Sequence, residues 1–267
     1  MAVTPRTDGP IPSLDPAAPK VRDRTTIATS VVLLALAAIA WAMVLSMRDQ
    51  DMGMGGMTTS VSHGLMFVAG WAVMMTAMML PSALPMIALY DATQRAHEPT
   101  RQGVPVAIFT LVYLAVWAAT GVPVYVAQEL LAALPAAALA YGVAVILLVA
   151  GMFQLSRLKQ ACLRACRSPL GFLLGHWRAG YRGSLRLGWS HTVYCLGCCW
   201  ALMLVLVAAG AMGLPWVLLI SALVAAEKLL PGGEWVARIA GGALVLLALA
   251  VALRPDFVAT LRGSHVM

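Results

Sequence analysis

The feature that most constrains this chain is a series of uncharged apolar runs, each about as long as a bilayer is thick. The first, Ile27 to Met47, is 21 residues long, and a helix needs about 20 to cross the hydrocarbon core. It is long for the apolar region of a signal peptide and has no small-residue cleavage pattern behind it, so it reads as a first transmembrane helix. Further runs follow at Leu65 to Leu89, Val104 to about Ala127, Ala136 to Leu155, Val193 to Met212, Leu214 to Leu230 and Val236 to Leu253. The expected fold is an all-α polytopic transmembrane helix bundle of about seven spans. Six remain possible if Leu214 to Leu230 is re-entrant. Pro81 and Pro85 each lack a backbone donor and should bend the second run. Gly210, Gly213, Gly241 and Gly242 would let the last helices pack closely.

Composition supports a membrane protein: 61% of residues are hydrophobic and only 11% charged, whereas a soluble domain is about 25% charged. The net charge of +7 could suggest a nucleic-acid partner, but its location argues otherwise. Residues 156–190 hold seven Arg or Lys and no Asp or Glu, and elsewhere eleven basic residues balance eleven acidic ones. A basic loop held in the cytoplasm against anionic lipid accounts for this without nucleic acid. That segment should lie along the membrane as amphipathic pieces broken at Pro169 and Gly175. With this loop inside, seven spans put the N-terminus in the cytoplasm, in keeping with Lys20, Arg22 and Arg24, and Asp49 and Asp51 outside. Residues 1–26 read as a disordered cytoplasmic tail, 27–253 as the helical domain and 254–267 as a short tail.

Sulfur is unevenly distributed. All five cysteines lie between Cys162 and Cys199, and eleven of sixteen methionines between Met43 and Met86. On a helix, Cys195, Cys198 and Cys199 fall at i, i+3 and i+4, with His191 one turn earlier on the same side. Three thiols and an imidazole suit Cu(I), or Zn(II) if a neighbouring helix adds ligands. The alternative is that these cysteines are small core hydrophobes. Cys162 and Cys166 share a helical face near Lys159, Arg164 and Arg167, whose charge would favour thiolate. They form a candidate secondary metal or redox pair at a cytoplasmic exit. A cytoplasmic location keeps thiols reduced, so no disulfide framework is expected. His176 reads as a surface side chain.

Thioethers bind Cu(I) without deprotonation, so Met52, Met54 and Met57, in a polar outer loop, are apt for capturing copper outside the cytoplasm. The alternative is a flexible loop in a Met-rich protein. Met74 and Met78 share one face of the second run, and Met75 and Met79 another. They could form a transit site for a soft ion, or pack adaptably around the proline bend. Glu227 and Lys228 interrupt an apolar segment. They either face the bundle interior or sit near the inner headgroups, where Lys228 would snorkel.

There is no Gly-rich phosphate loop, no His-Glu-x-x-His pair, no Ser or Cys nucleophile beside a clear base, and none of the ATPase parts of a primary pump. An enzyme is therefore not expected. Two other classes stay open: a membrane thiol oxidoreductase using the five cysteines, and a structural or accessory subunit of a larger membrane complex using Met and Cys only for packing. Helical i, i+4 thiols point side by side and bridge poorly, which weighs against the first.

The run from Met152 through Cys162 and Cys166 to Pro169 resembles a signature of a bacterial family of predicted metal-binding integral membrane proteins. The resemblance continues through Trp177-Arg178-x-Gly180, Tyr194-Cys195-x-Gly197-Cys198-Cys199-Trp200 and Glu227-Lys228-Leu229-x-Pro231-x-Gly233. Trp71-x-x-Met74-Met75-x-Ala77-Met78-Met79-x-Pro81 is similar to that family's other motif. It implies a multi-helix inner-membrane protein that binds metal, copper above all, as an accessory or chaperone. It also implies that the Met motif, the Cys motif and Glu227 act together. The resulting expectation is Cu(I) binding and transfer, across the inner membrane or to a cuproenzyme, with lipid, the metal ion and a copper chaperone, cuproenzyme or larger complex as partners.

Overall fold

The computed structural model describes residues 24–50, 60–97, 103–210, 213–255 and 258. The described residues are helical throughout, with no strand. They form α1 (Arg24–Gln50), α2 (Ser60–His97), α3 (Val104–Ala119), α4 (Gly121–Ala132), α5 (Ala136–Gln154), α6 (Arg157–Arg167), α7 (Pro169–His176), α8 (Gly180–Ala209), α9 (Leu214–Leu229) and α10 (Gly233–Leu253). The expected all-α polytopic bundle is what the chain forms. Most of the tail expected at residues 1–26 lies outside the described residues.

The span count is lower than expected. Among the described residues, five helical stretches are long and apolar enough to cross a membrane: Thr26–Ser46, Ser62–Ala96, Val104–Ala132, Gly180–Ala209 and Gly233–Leu253. A sixth is reached if α5 and α6, which meet at a 62° bend, count as one broken span. The Leu214–Leu230 run yields only the 16 residues of α9, about 24 Å at 1.5 Å per residue, short of the hydrocarbon thickness. Helix starts and stops have local causes. Pro105, Pro169 and Pro215 sit in the first turns of α3, α7 and α9, where no backbone donor is needed. Ser156 caps α6 by accepting from the Lys159 amide at 3.1 Å. Gly210 ends α8 in a left-handed conformation, φ 102°. Pro81 and Pro85 do not interrupt α2, which stays helical through both.

Contacts fix the path. α2 runs antiparallel to α3 and α4: Tyr90 lies against Phe109, the Tyr113 hydroxyl donates to Met79 O, and Trp71 Nε1 donates to Thr120. α8 runs parallel to α3, pairing His191 with Phe109, Cys195 with Tyr113 and Val207 O with Gln128. α10 returns along α5 at a close crossing, where a β-carbon on Gly151 would lie 2.9 Å from Gly241 O. Of the glycines expected to tighten the last helices, Gly241 does so. Gly210 is a cap instead, and nothing lies within 4 Å of a β-carbon on Gly242.

The basic segment differs most from expectation. Only α6 and α7 are separate pieces, broken at Ser168 and at Trp177 to Ala179. From Gly180 the chain is already in α8, so the transmembrane helix begins 13 residues before Val193. α6 is packed against α8 and α9, with Lys159, Gln160 and Leu163 buried. Outside the bundle, Val31, Val32, Ile39, Leu111, Ile239 and Leu246 are all more than half exposed, an apolar exterior suited to lipid.

Candidate metal centre

α8 carries the cysteines halfway along its length, and its 3.6-residue period turns them toward α6, α3 and α9. Cys195, Cys198 and Cys199 are buried, and all five cysteines are free thiols. Cys198 Sγ lies 3.3 Å from Cys199 Sγ and 3.8 Å from Cys166 Sγ. The secondary pair therefore divides. Cys166 joins the main cluster, making it four thiols from two helices, while Cys162 packs on Gly197, where a β-carbon would come within 3.0 Å of its sulfur. The sulfurs are drawn into mutual contact rather than spread around a centre. Among the described residues no three His, Cys, Asp or Glu side chains stand as a ready metal-holding set, so taking an ion would require the thiols to turn apart.

Lys228 Nζ donates to Cys195 Sγ at 3.0 Å and to Ser82 Oγ at 3.2 Å. Ser82 in turn donates to Met79 O at 2.8 Å. Tyr113 donates to the same carbonyl and meets Cys195 Sγ at 3.2 Å. Lys228, Ser82, Met79 O, Tyr113 and Cys195 thus close a ring of polar contacts inside the bundle. Beside it, Lys159 Nζ bonds to Glu227 Oε2 at 2.6 Å and to Cys198 O at 2.5 Å, and Gln154 Nε2 donates to Glu227 Oε1 at 2.6 Å. Arg167 covers the end of α9, donating to Glu227 O at 3.0 Å and Leu230 O at 2.7 Å. Gly233 permits this, since a β-carbon there would strike both Glu227 O and Arg167.

Glu227 and Lys228 are 1% and 8% exposed, so the headgroup reading of these residues is overturned: both point inward. The expected pull of Lys159 and Arg167 on the α6 thiols is also corrected. Both cations are engaged on Glu227 and nearby carbonyls. His191 is buried one turn before Cys195, among the rings of Phe109, Tyr113 and Phe172 at centroid distances of 5.7, 5.9 and 5.5 Å. Its Nδ1 has no hydrogen-bond partner among the described residues. Met74, Met75, Met78 and Met79 are all buried in the core that contains the cysteines, but α2 reaches the thiols through Met79 O and Ser82. Met52, Met54 and Met57 lie outside the described residues. His176 is exposed and stacks on Phe172 at 4.3 Å, as a surface residue would.

Sequence reasoning missed Tyr113, Ser82 and Gln154 and misplaced Lys159. One signal was present: a carboxylate in an apolar segment needs a cation, and Lys159 belongs to a strongly amphipathic helix one turn before Cys162.

Fold and site together define a class, all-α polytopic proteins that enclose reduced thiols beside a buried ammonium. Residues 68–251 match the family model PpoB2, copper chaperone, and the chain belongs to that family. No curated protein and no solved structure matches it.

Proposed function

We propose that this protein binds Cu(I) as cargo in a bacterial inner membrane, with its N-terminus in the cytoplasm, and passes it on without catalysing a reaction. The observation that carries this reading is the cluster of buried Cys195, Cys198 and Cys199, with partly buried Cys166 against Cys198 and Lys228 on Cys195. Soft thiolates suit Cu(I), and a two-thiolate site suits its charge. Two thiolates and one Cu(I) carry a single negative charge, which the Lys228 ammonium cancels. Four thiolates and Zn(II) would leave one negative charge uncancelled, which a desolvated site disfavours. Lys159 contributes nothing to this balance, because Glu227 already neutralises it.

In this reading Met52, Met54 and Met57 capture the ion outside. The methionines of α2 offer it passage, and the thiols hold it. Cys166 leads to Cys162, one turn away on α6, as the port toward a soluble copper chaperone. Thiolates hold Cu(I) more tightly than thioethers, which favours inward movement. Delivery outward, to a cuproenzyme, needs a partner that binds more tightly on that side.

The test is elemental analysis of the detergent-purified chain after anaerobic Cu(I) loading, beside a variant with Cys195, Cys198 and Cys199 changed to Ser. Near-stoichiometric copper, lost in the variant, is expected. Absence of copper from the unaltered chain would overturn the proposal.

A further inference from the structure

An open cavity of about 650 Å³ lies on the outer face of the bundle between α3, the α7–α8 connection and α8. Its walls are apolar, formed by Val112, Val116, Leu185 and Trp189, and its rim carries His176, Arg178 and Arg186. No carboxylate lines it, and neither arginine has an ion-pair partner among the described residues. Leu185 and Trp189 are 53% and 56% exposed, so the apolar wall is unpartnered within the chain.

Its depth can be read from α8. The helix ends at Ala209, and the roughly 20 residues that cross hydrocarbon, counted back from there, end at Ser190. Trp189 therefore stands at the interface, where indole rings collect, and Arg186 and Arg178 lie at headgroup level. A volume in the range of small-molecule pockets, apolar on the hydrocarbon side and cationic on the headgroup side, matches one kind of molecule. We infer that this groove is a binding site for an anionic phospholipid, its acyl chain along Val112, Val116 and Trp189 and its phosphate between Arg178 and Arg186. The site is separate from the thiols and rests only on the reading that the chain spans a bilayer.

The probe is acyl-brominated phosphatidylglycerol, compared with brominated phosphatidylcholine, in mixed micelles with the delipidated full chain. Bromine quenches a tryptophan it touches, and the difference between the unaltered chain and Trp189→Phe isolates Trp189. Phosphatidylglycerol should quench Trp189 at a mole fraction on the order of tenfold lower than phosphatidylcholine, since each basic residue near the surface favours anionic lipid. Arg178→Gln with Arg186→Gln should erase that preference. Arg182→Gln, on the same turn of α8 but outside the groove, should keep it. Ala115→Phe, which fills the groove without changing charge, should weaken quenching by both lipids and serves if the double variant misfolds. Equal quenching by the two lipids, or displacement of phosphatidylglycerol by inorganic phosphate, would overturn the inference. Failure of either lipid to associate with the protein at all would instead count against the membrane reading.

Discussion

The chain buries sulfur in two places, and the two are built differently. Around Cys195, Cys198 and Cys199 the core holds Lys228, Lys159, Glu227 and Tyr113, all in polar contact. Around Met74, Met75, Met78 and Met79 the polar contacts come from the backbone and from the neutral side chains of Thr76, Ser82 and Tyr113. A thiol becomes a strong metal ligand only by losing a proton, and the charge it gains must be balanced out of water. A thioether stays neutral and needs no such partner. Buried charge therefore touches the cysteines directly and reaches the methionine stretch only through Ser82, which is the pattern expected if the two regions handle one soft ion in different ways.

The sharpest way to break this contrast is to unbalance the charges on the thiol side. Glu227→Gln leaves Lys159 buried without a carboxylate and should cost about 3–5 kcal/mol of stability, read by thermal unfolding in detergent. Lys159→Met with Glu227→Gln should recover most of that loss, because it removes both charges together. If Glu227→Gln alone is neutral, the pair is not the framework that positions Cys198.

Lys228→Gln is expected to have the next largest effect. A hydrogen bond to a charged group contributes about 1.5–3 kcal/mol, so Cu(I) affinity by chelator competition should fall on the order of ten- to a hundredfold. Zn(II) affinity should fall as well, because the ammonium offsets thiolate charge whichever metal is bound. Unchanged Cu(I) affinity would leave Lys228 a structural residue and remove it from the charge balance of the site.

How much of this was legible in the sequence depended on whether a signal was local. The spans from Ile27, Leu65 and Val236 were legible because an apolar run about 20 residues long has few alternatives. The start of α8 was not, because Arg182 and Arg186 made helical residues look like loop, and their exposure at the bundle edge depends on tertiary packing. Cys195, Cys198 and Cys199 could be placed on one face from spacing alone. Their joining by Cys166 could not, because it depends on the 62° turn that folds α6 back onto α8. Lys159 read as one more cation of a basic loop, and only the helical phase of α6 sends it inward.

A third test separates holding from passing. Cys162 stands apart from the thiol cluster, packed on Gly197. Cys162→Ser should leave copper stoichiometry unchanged yet slow transfer to an external Cu(I) chelator several-fold. Cys166→Ser should lower affinity as well, since its sulfur touches Cys198. Identical behaviour of the two variants would mean that α6 does not act as an ordered exit.

The smallest effect should come from the methionines, and it bears most directly on the comparison. Met75→Leu with Met79→Leu nearly conserves volume at two buried positions, so the stability cost should stay below about 1.5 kcal/mol per site. Because the thiols with Lys228 already form a charge-balanced site, equilibrium Cu(I) affinity should stay within about threefold, well under one decade or 1.4 kcal/mol. The rate of loading from the side of the bundle where α2 begins should fall, since leucine offers a soft ion no donor. Stopped-flow loading of the chain in vesicles, set against chelator competition at equilibrium, reads the two quantities separately. Slower loading at unchanged affinity would make α2 a path and α8 the store. A tenfold loss of affinity would place thioether and thiol in one site, and unchanged rate and affinity would leave the methionines as packing around Pro81 and Pro85.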